Sequence, residues 1–214
     1  MHETIADFHH TPRRLAALEQ AVAADAHNRA AAVAGEIAFV RERAGIVDRL
    51  VAAHAAGRIP ERVTHNDTKL NNVMLDDVTT EGVCVIDLDT VMPGLSLYDF
   101  GDMVRTLVRP TAEDEANPRQ LCVRAEMFEA AARGYLEHMR HLLTAGEREH
   151  LVFSARLITL EIGIRFLTDF LCGDVYFKTA RPGQNLDRCR LQFALVRRLE
   201  EAEPAMTRVV EALL

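Results

Sequence analysis

The chain has 214 residues, 49% of them hydrophobic and 27% charged, with a formal net charge of -7. That balance suits a soluble globular domain with room for one good core. It argues against nucleic acid as the main partner, because neutralising a phosphate backbone needs a basic surface. A nucleotide site remains open, since it needs only local cations and a metal. Of the 25 basic residues only Lys69 and Lys178 are lysines, so lysine-dependent chemistry has two candidate positions. Cys84, Cys122, Cys172 and Cys189 are scattered, without the spacing of a metal site or a disulfide framework. No signal-peptide stretch opens the sequence and no later run is apolar enough to span a membrane. A reducing cytoplasm is the expected location.

In chain order, Thr11-Pro12 predicts a helix start, with Thr11 as N-cap and Pro12 at the first helical position. Leu15, Leu18, Val22 and Ala23 then recur at helical spacing. A polar break near Asp25–Asn28 precedes a second helical run through Ile37, Phe39, Val40, Ile46, Leu50 and Val51. Gly57, with Pro60 behind it, stops that run. Between residues 62 and 92 the character changes. Two short apolar runs, Val73–Leu75 and Val83–Leu88, predict the strands of a hairpin, preceded by a polar loop. After Pro93-Gly94 the helical pattern returns, predicting helices near 97–108, 120–143, 147–171 and 185–213, the last broken or kinked at Pro204. The predicted fold is α+β and mostly helical: one unit over 1–214, with a helical opening part (1–61), a loop and hairpin (62–92) and a helical remainder (93–214).

The hairpin segment holds nearly all the unusual polar residues. His65, Asp67 and Asn72 fit the H-x-D-x-x-x-x-N loop of kinases, and Asp87 follows fifteen residues later at the end of an apolar run. Phosphoryl transfer needs these residue types. One carboxylate must take the proton of an attacking hydroxyl, while an amide oxygen and a second carboxylate hold magnesium against the phosphates. The three-residue loop pattern alone is a weak motif. Its strand-borne aspartate makes it specific. His65 is expected to brace the loop rather than move a proton. Asp89 shares a face with Asp87 if the strand persists. Read from the residues alone, Asp99 and Asp102 are ordinary charges at a helix N-terminus.

The segments THNDTKLNNVML, VIDLDTVMPGLSLYDFGDMVRT, EIGIRFLTDFLCGDVYFK and NLDRCRLQFALV resemble the N-acetylhexosamine 1-kinase branch of the aminoglycoside-phosphotransferase/choline-kinase superfamily. The resemblance implies the large, C-terminal lobe of a protein-kinase-like fold. It also implies transfer of phosphate from ATP, with Mg2+, to the anomeric hydroxyl of an N-acetylhexosamine. By the same resemblance Asp67 is the catalytic base, Lys69 lies near the transferred phosphoryl group, and Asn72 and Asp87 are the metal ligands. Arg165 and Tyr176 match positions that hydrogen-bond the sugar, with Asp89 a further candidate there and His65 and Asp99 as supports of the loop. Read from the helix alone, Arg165 could instead pair with Glu161 and Asp169, four residues to either side. Tyr176 could be a core tyrosine. Aminoglycoside, choline or another sugar are alternative acceptors, and a non-catalytic binding or scaffold role is the alternative class.

A complete kinase of this kind has a small lobe with a glycine-rich loop and a strand lysine on the phosphates. No G-x-G-x-x-G occurs, neither lysine lies on an early strand, and the first sixty residues read as helix. The expectation is a large lobe without its small lobe, inactive alone. An exposed apolar cleft would then favour self-association or a small-lobe partner supplied by another polypeptide.

Overall fold

The computed structural model describes residues 2–110 and 121–214. Its order of elements is α1 (Thr11–Ala24), α2 (Ala34–Glu42), α3 (Arg49–Ala55), β1 (Arg62–Thr64), β2 (Val73–Leu75), β3 (Gly82–Val85), β4 (Met92–Gly94), α4 (Ser96–Leu107), α5 (Ala125–Met139), α6 (Ala145–Leu171) and α7 (Gln184–Leu213). It is mostly helical with a small β portion, compatible with the α+β class.

α6 is the axis of the molecule. At about 1.5 Å per residue its 27 residues span roughly 40 Å, and it packs against α7, α4 and α1. Because neighbours surround it, it is buried on all sides, including Leu157, Ile158, Leu160, Ile164 and Leu167. Two glycines permit close approaches between α6 and its neighbours α4 and α7. A Cβ on Gly101 of α4 would stand 2.6 Å from the Ser154 carbonyl oxygen of α6. One on Gly163 of α6 would stand 2.5 Å from the Phe193 ring of α7. Phe39 stacks on that ring, with centroids 4.6 Å apart, and so joins α2 to the same core.

The start of α6 is fastened by a capping box between Thr144 and Glu147. Glu147 does more than cap. It takes a bidentate pair of bonds from Arg62 on β1 (2.7 and 2.8 Å) and one from the Ser96 hydroxyl at the start of α4 (2.7 Å). Burial alone would raise its pKa, but Arg62, Ser96 and the Thr144 N–H hold it down at about 2.

The expected hairpin is present as β2–β3, antiparallel, with Met74 opposite Cys84. Its second strand is shorter than predicted. It ends at Val85, because the Asn72 N–H bonds the Lys69 carbonyl (2.9 Å) instead of crossing to the second strand, and Asp87 adopts φ +62°. A second two-stranded sheet, β1–β4, was not predicted; it pairs Val63 with Pro93. Met92-Pro93-Gly94 reads as a turn, and a proline is tolerated here because neither strand is central. The helix start also differs from expectation. His10 is the N-cap of α1, its ring nitrogen accepting the Arg13 N–H, while the Thr11 hydroxyl is drawn away to Glu161. The run predicted up to Gly57 divides into α2 and α3, joined by a short 3-10 turn, and Gly57 (φ +71°) follows its end. The predicted start of the 120–143 helix lies outside the described residues, and α5 begins at Ala125. α7 is continuous through Pro204 rather than broken. Pro204 is exposed, so the carbonyl it leaves without a donor can turn to water.

Candidate active site

The loop between β1 and β2 is built on two left-handed residues, Asn66 (φ +64°) and, beyond the hairpin, Asp87 (φ +62°). Asn and Asp tolerate this region better than other side chains. The Asn66 turn aims two consecutive amides at one carboxylate. Asp99 of α4 accepts the His65 N–H (2.9 Å) and the Asn66 N–H (2.7 Å), and its carbonyl accepts the Thr68 hydroxyl (2.6 Å). Burial raises the Asp99 pKa against the pull of those two amides. The Asn66 side chain donates to the Thr90 carbonyl (3.0 Å) and the Thr90 hydroxyl to that of His65 (2.7 Å), tying the loop to the segment after β3. Close packing is built in here too: a Cβ on Gly94 would lie 2.4 Å from Thr64 Oγ1.

His65 bridges both sides of the hairpin. Its Nδ1 accepts the Asp67 N–H (3.3 Å) and its Nε2 lies 3.0 Å from the Ile86 carbonyl. The ring is therefore the neutral tautomer with the proton on Nε2, both nitrogens occupied by backbone.

Asp67, Lys69, Asn72 and Asp87 are brought together. Lys69 Nζ lies 2.5 Å from Asp67 Oδ2 and 3.7 Å from Asp87 Oδ2. Burial alone would lower the lysine's pKa, but the bond to Asp67 and the two carboxylate charges raise it, so it is a cation. Asn72 is buried, and its amide NH2 donates to the Asp67 carbonyl (2.8 Å) and to Asp67 Oδ2 (3.0 Å). That fixes the amide orientation and leaves the Asn72 amide oxygen without a donor among the described residues. The Asp87 carboxylate is half exposed, and its one described partner is Lys69. An amide oxygen without a described donor, and a carboxylate held only by Lys69 at 3.7 Å, are the hard oxygen donors that magnesium takes while keeping waters or phosphate oxygens in its other positions. These residues fit the ion.

Asp89 stands apart. The strand that would have placed it beside Asp87 has ended, and it lies on the 3-10 turn Leu88–Thr90, exposed, with its carboxylate bonded to none of the described residues. Asp102 is no first-turn charge either; it is buried and paired with Arg105 (2.7 Å).

Arg165 and Tyr176 line a cavity of about 220 Å³ with Arg14, Thr168, Val175 and Phe177. The alternative pairing of Arg165 with Glu161 and Asp169 is not formed, because both carboxylates are otherwise engaged. Glu161 bonds His9 Nδ1 (2.7 Å) and the Thr11 hydroxyl (2.6 Å). Asp169 accepts the N–H groups of Val175, Tyr176 and Phe177 (2.9, 2.8 and 3.0 Å) and the Asn185 amide (2.8 Å). Asp169 thus shapes the loop that carries Tyr176. Arg165 is left over the rings of Phe8, Tyr176 and Phe177, 4.9, 5.7 and 5.5 Å from their centroids, with a 3.3 Å bond to the Tyr176 hydroxyl. Tyr176 is 66% exposed, so it is no core tyrosine. Sequence reasoning missed His9 entirely. Its one available signal was a histidine just before a helix start, which is too common to single out.

The loop, the hairpin and their helical support fall within residues 1–142, the span that matches the phosphotransferase enzyme family, APH. The chain belongs to that family. Its membership makes phosphotransfer the class of activity.

Proposed function

We propose that this chain is the large lobe of an ATP-dependent sugar kinase, acting on the anomeric hydroxyl of an N-acetylhexosamine. The observation that carries the reading is the joining of Asp67, Lys69, Asn72 and Asp87 around one point. Asp67 Oδ2 is held by Lys69 and Asn72, while its other oxygen has no partner among the described residues and can take the proton of an acceptor hydroxyl. As that proton moves to Asp67, the acceptor oxygen forms its bond to the γ-phosphorus and the bond to the ADP oxygen breaks. Lys69, a fixed cation beside the base, offsets charge on the transferred group. Mg2+ held by Asn72 and Asp87 would supply neutralisation of the phosphate oxygens. Arg165 and Tyr176 offer donors to sugar hydroxyls in a cavity with an aromatic wall, a usual composition for a small-ligand site.

The β2–β3 hairpin exposes apolar side chains on both faces, Met74 on one and Val83 and Val85 on the other, with Leu88 exposed just beyond β3. We assign this apolar surface the seat of the element that covers the nucleotide.

Calorimetric titration with N-acetylhexosamines, with and without Mg-ATP, tests the reading. Sugar binding that disappears in Arg165→Ala supports the acceptor site, and Mn2+ binding weakened at least tenfold in Asp87→Asn supports the metal site. Heat with choline or an aminoglycoside, and none with the sugars, would assign another acceptor. Binding of neither nucleotide nor any acceptor would leave a scaffold, and the kinase reading would be wrong.

A further inference from the structure

His9 is 5% exposed and lies where three parts of the chain meet. Nδ1 stands 2.7 Å from Glu161 Oε1 on α6, and Nε2 stands 2.9 Å from the Asn66 carbonyl oxygen in the loop. The Asn66 carbonyl is an acceptor only and so is Glu161 in its ionised form, which its lowered pKa favours; both ring nitrogens then carry protons and the ring is an imidazolium. Its plane is set by Phe8 and by Tyr98 of α4, whose rings lie 4.7 and 5.1 Å away. The carbonyl it holds belongs to the peptide that joins Asn66 to Asp67. One helical turn beyond Glu161 comes Arg165, whose guanidinium covers Phe8, the residue before His9. His9 therefore spans the distance between the helix that carries the acceptor cavity and the peptide that presents the base.

We propose that His9 is a positioning residue that locks the Asn66–Asp67 peptide to Glu161 and so fixes where Asp67 stands relative to the Arg165 cavity. The proposal rests on the kinase reading for the meaning of Asp67, but its geometry does not. Asp99 already holds the two amides on one side of this turn. Without His9 the carbonyl on the other side would lose its charged donor in a buried setting, which favours rotation of that peptide toward another donor.

Charge supports the same picture. Burial opposes the imidazolium, but Glu161, its hydrogen bond and the Asn66 carbonyl outweigh burial and raise the His9 pKa, while His9 and Thr11 lower that of Glu161. The other charged groups acting on the pair are Asp99 and Asp102 from α4, Arg165 from α6 and Arg14 from α1. The lock holds at pH values between the lowered Glu161 pKa and the raised His9 pKa. It opens as pH rises through the latter or falls through the former.

Two substitutions separate positioning from plain stability. In His9→Gln the side-chain amide nitrogen takes the place of Nε2 and still reaches the Asn66 carbonyl. In His9→Asn it takes the place of Nδ1 and reaches only Glu161. Amide hydrogen exchange is read at Asn66 and Asp67 and, for reference, at Ile158 and Leu195 in the helical core. The expected result is exchange at Asn66 and Asp67 at least tenfold faster in His9→Asn, close to wild type in His9→Gln, with the reference amides alike in both. Loop and core amides loosening together, or the two variants behaving alike, would overturn the proposal. If either variant fails to fold, NMR of the wild type decides. His9 should carry two ring N–H protons at pH 7, and the Asn66 and Asp67 amide shifts should move with its titration. A neutral ring, or loop shifts that ignore it, would equally overturn the idea. These readouts need no turnover, so absence of both Mg-ATP and acceptor binding would sink the kinase reading while leaving the His9 lock standing.

Discussion

The α4–α6–α7 core and the β2–β3 hairpin are made of the same kinds of residue and end in opposite environments. Leu97, Phe100, Ile158 and Leu195 of the core are fully buried, whereas Met74, Val83 and Val78 of the hairpin segment are 52%, 65% and 91% exposed. Burial of a large apolar side chain contributes about 1.5–3 kcal/mol, so the core carries the stability of the chain. The hairpin gains little of that. It is held instead by its own ladder, by the Ile86–Asn72 backbone bond and by the His65 side chain on Ile86. The lesson is a division of labour: helices set stability, and the exposed hairpin sets where Asn72 and Asp87 stand.

The comparison breaks most visibly in the core. Phe100→Ala should cost about 3–5 kcal/mol in urea denaturation, from lost transfer energy and the cavity left behind. Arg62→Met should cost about 3 kcal/mol at pH 7, because it leaves the Glu147 carboxylate buried without its cation. The sign of its pH dependence is defined. A carboxylate depressed from 4.5 to about 2 contributes its stability above pH 4.5 and loses it as pH falls toward 2. The gap between Arg62→Met and wild type should therefore narrow on acidification. Gly163→Ala, which drives a methyl into the Phe193 ring, should cost about 1–3 kcal/mol by overpacking. At the bottom of the scale, Val83→Thr and Val85→Thr should change stability by no more than about 0.5 kcal/mol each. Sedimentation should nevertheless show less self-association in the double variant, since its open apolar face is smaller. A hairpin substitution as costly as Phe100→Ala would contradict the division of labour.

Much of this was legible beforehand because it is local. The helix of residues 145–171 and that of 184–213 follow from apolar spacing, and the order His65, Asp67, Asn72, Asp87 is itself the chemical motif. The errors were of two kinds. Strands of three residues, such as β1 and β4, carry too few positions to show a period of two, and Pro93 disguised one of them. The pairing that helical spacing allowed at Arg165 is not formed, because i±4 neighbours only propose a partner: Glu161 found His9 far along the chain, and Asp169 the loop that follows α6.

By itself, then, the sequence determined the helical periodicity, the residues of the phosphotransfer loop and their order, for these depend on neighbours within a turn or a strand. Only the tertiary structure decided that His9 reaches Glu161 across 152 positions, that Asp99 receives two loop amides, and that Arg165 is left to face a cavity. The reason is physical: a buried charge takes whichever partner the packing delivers in good geometry, and no spacing rule records which partner that is.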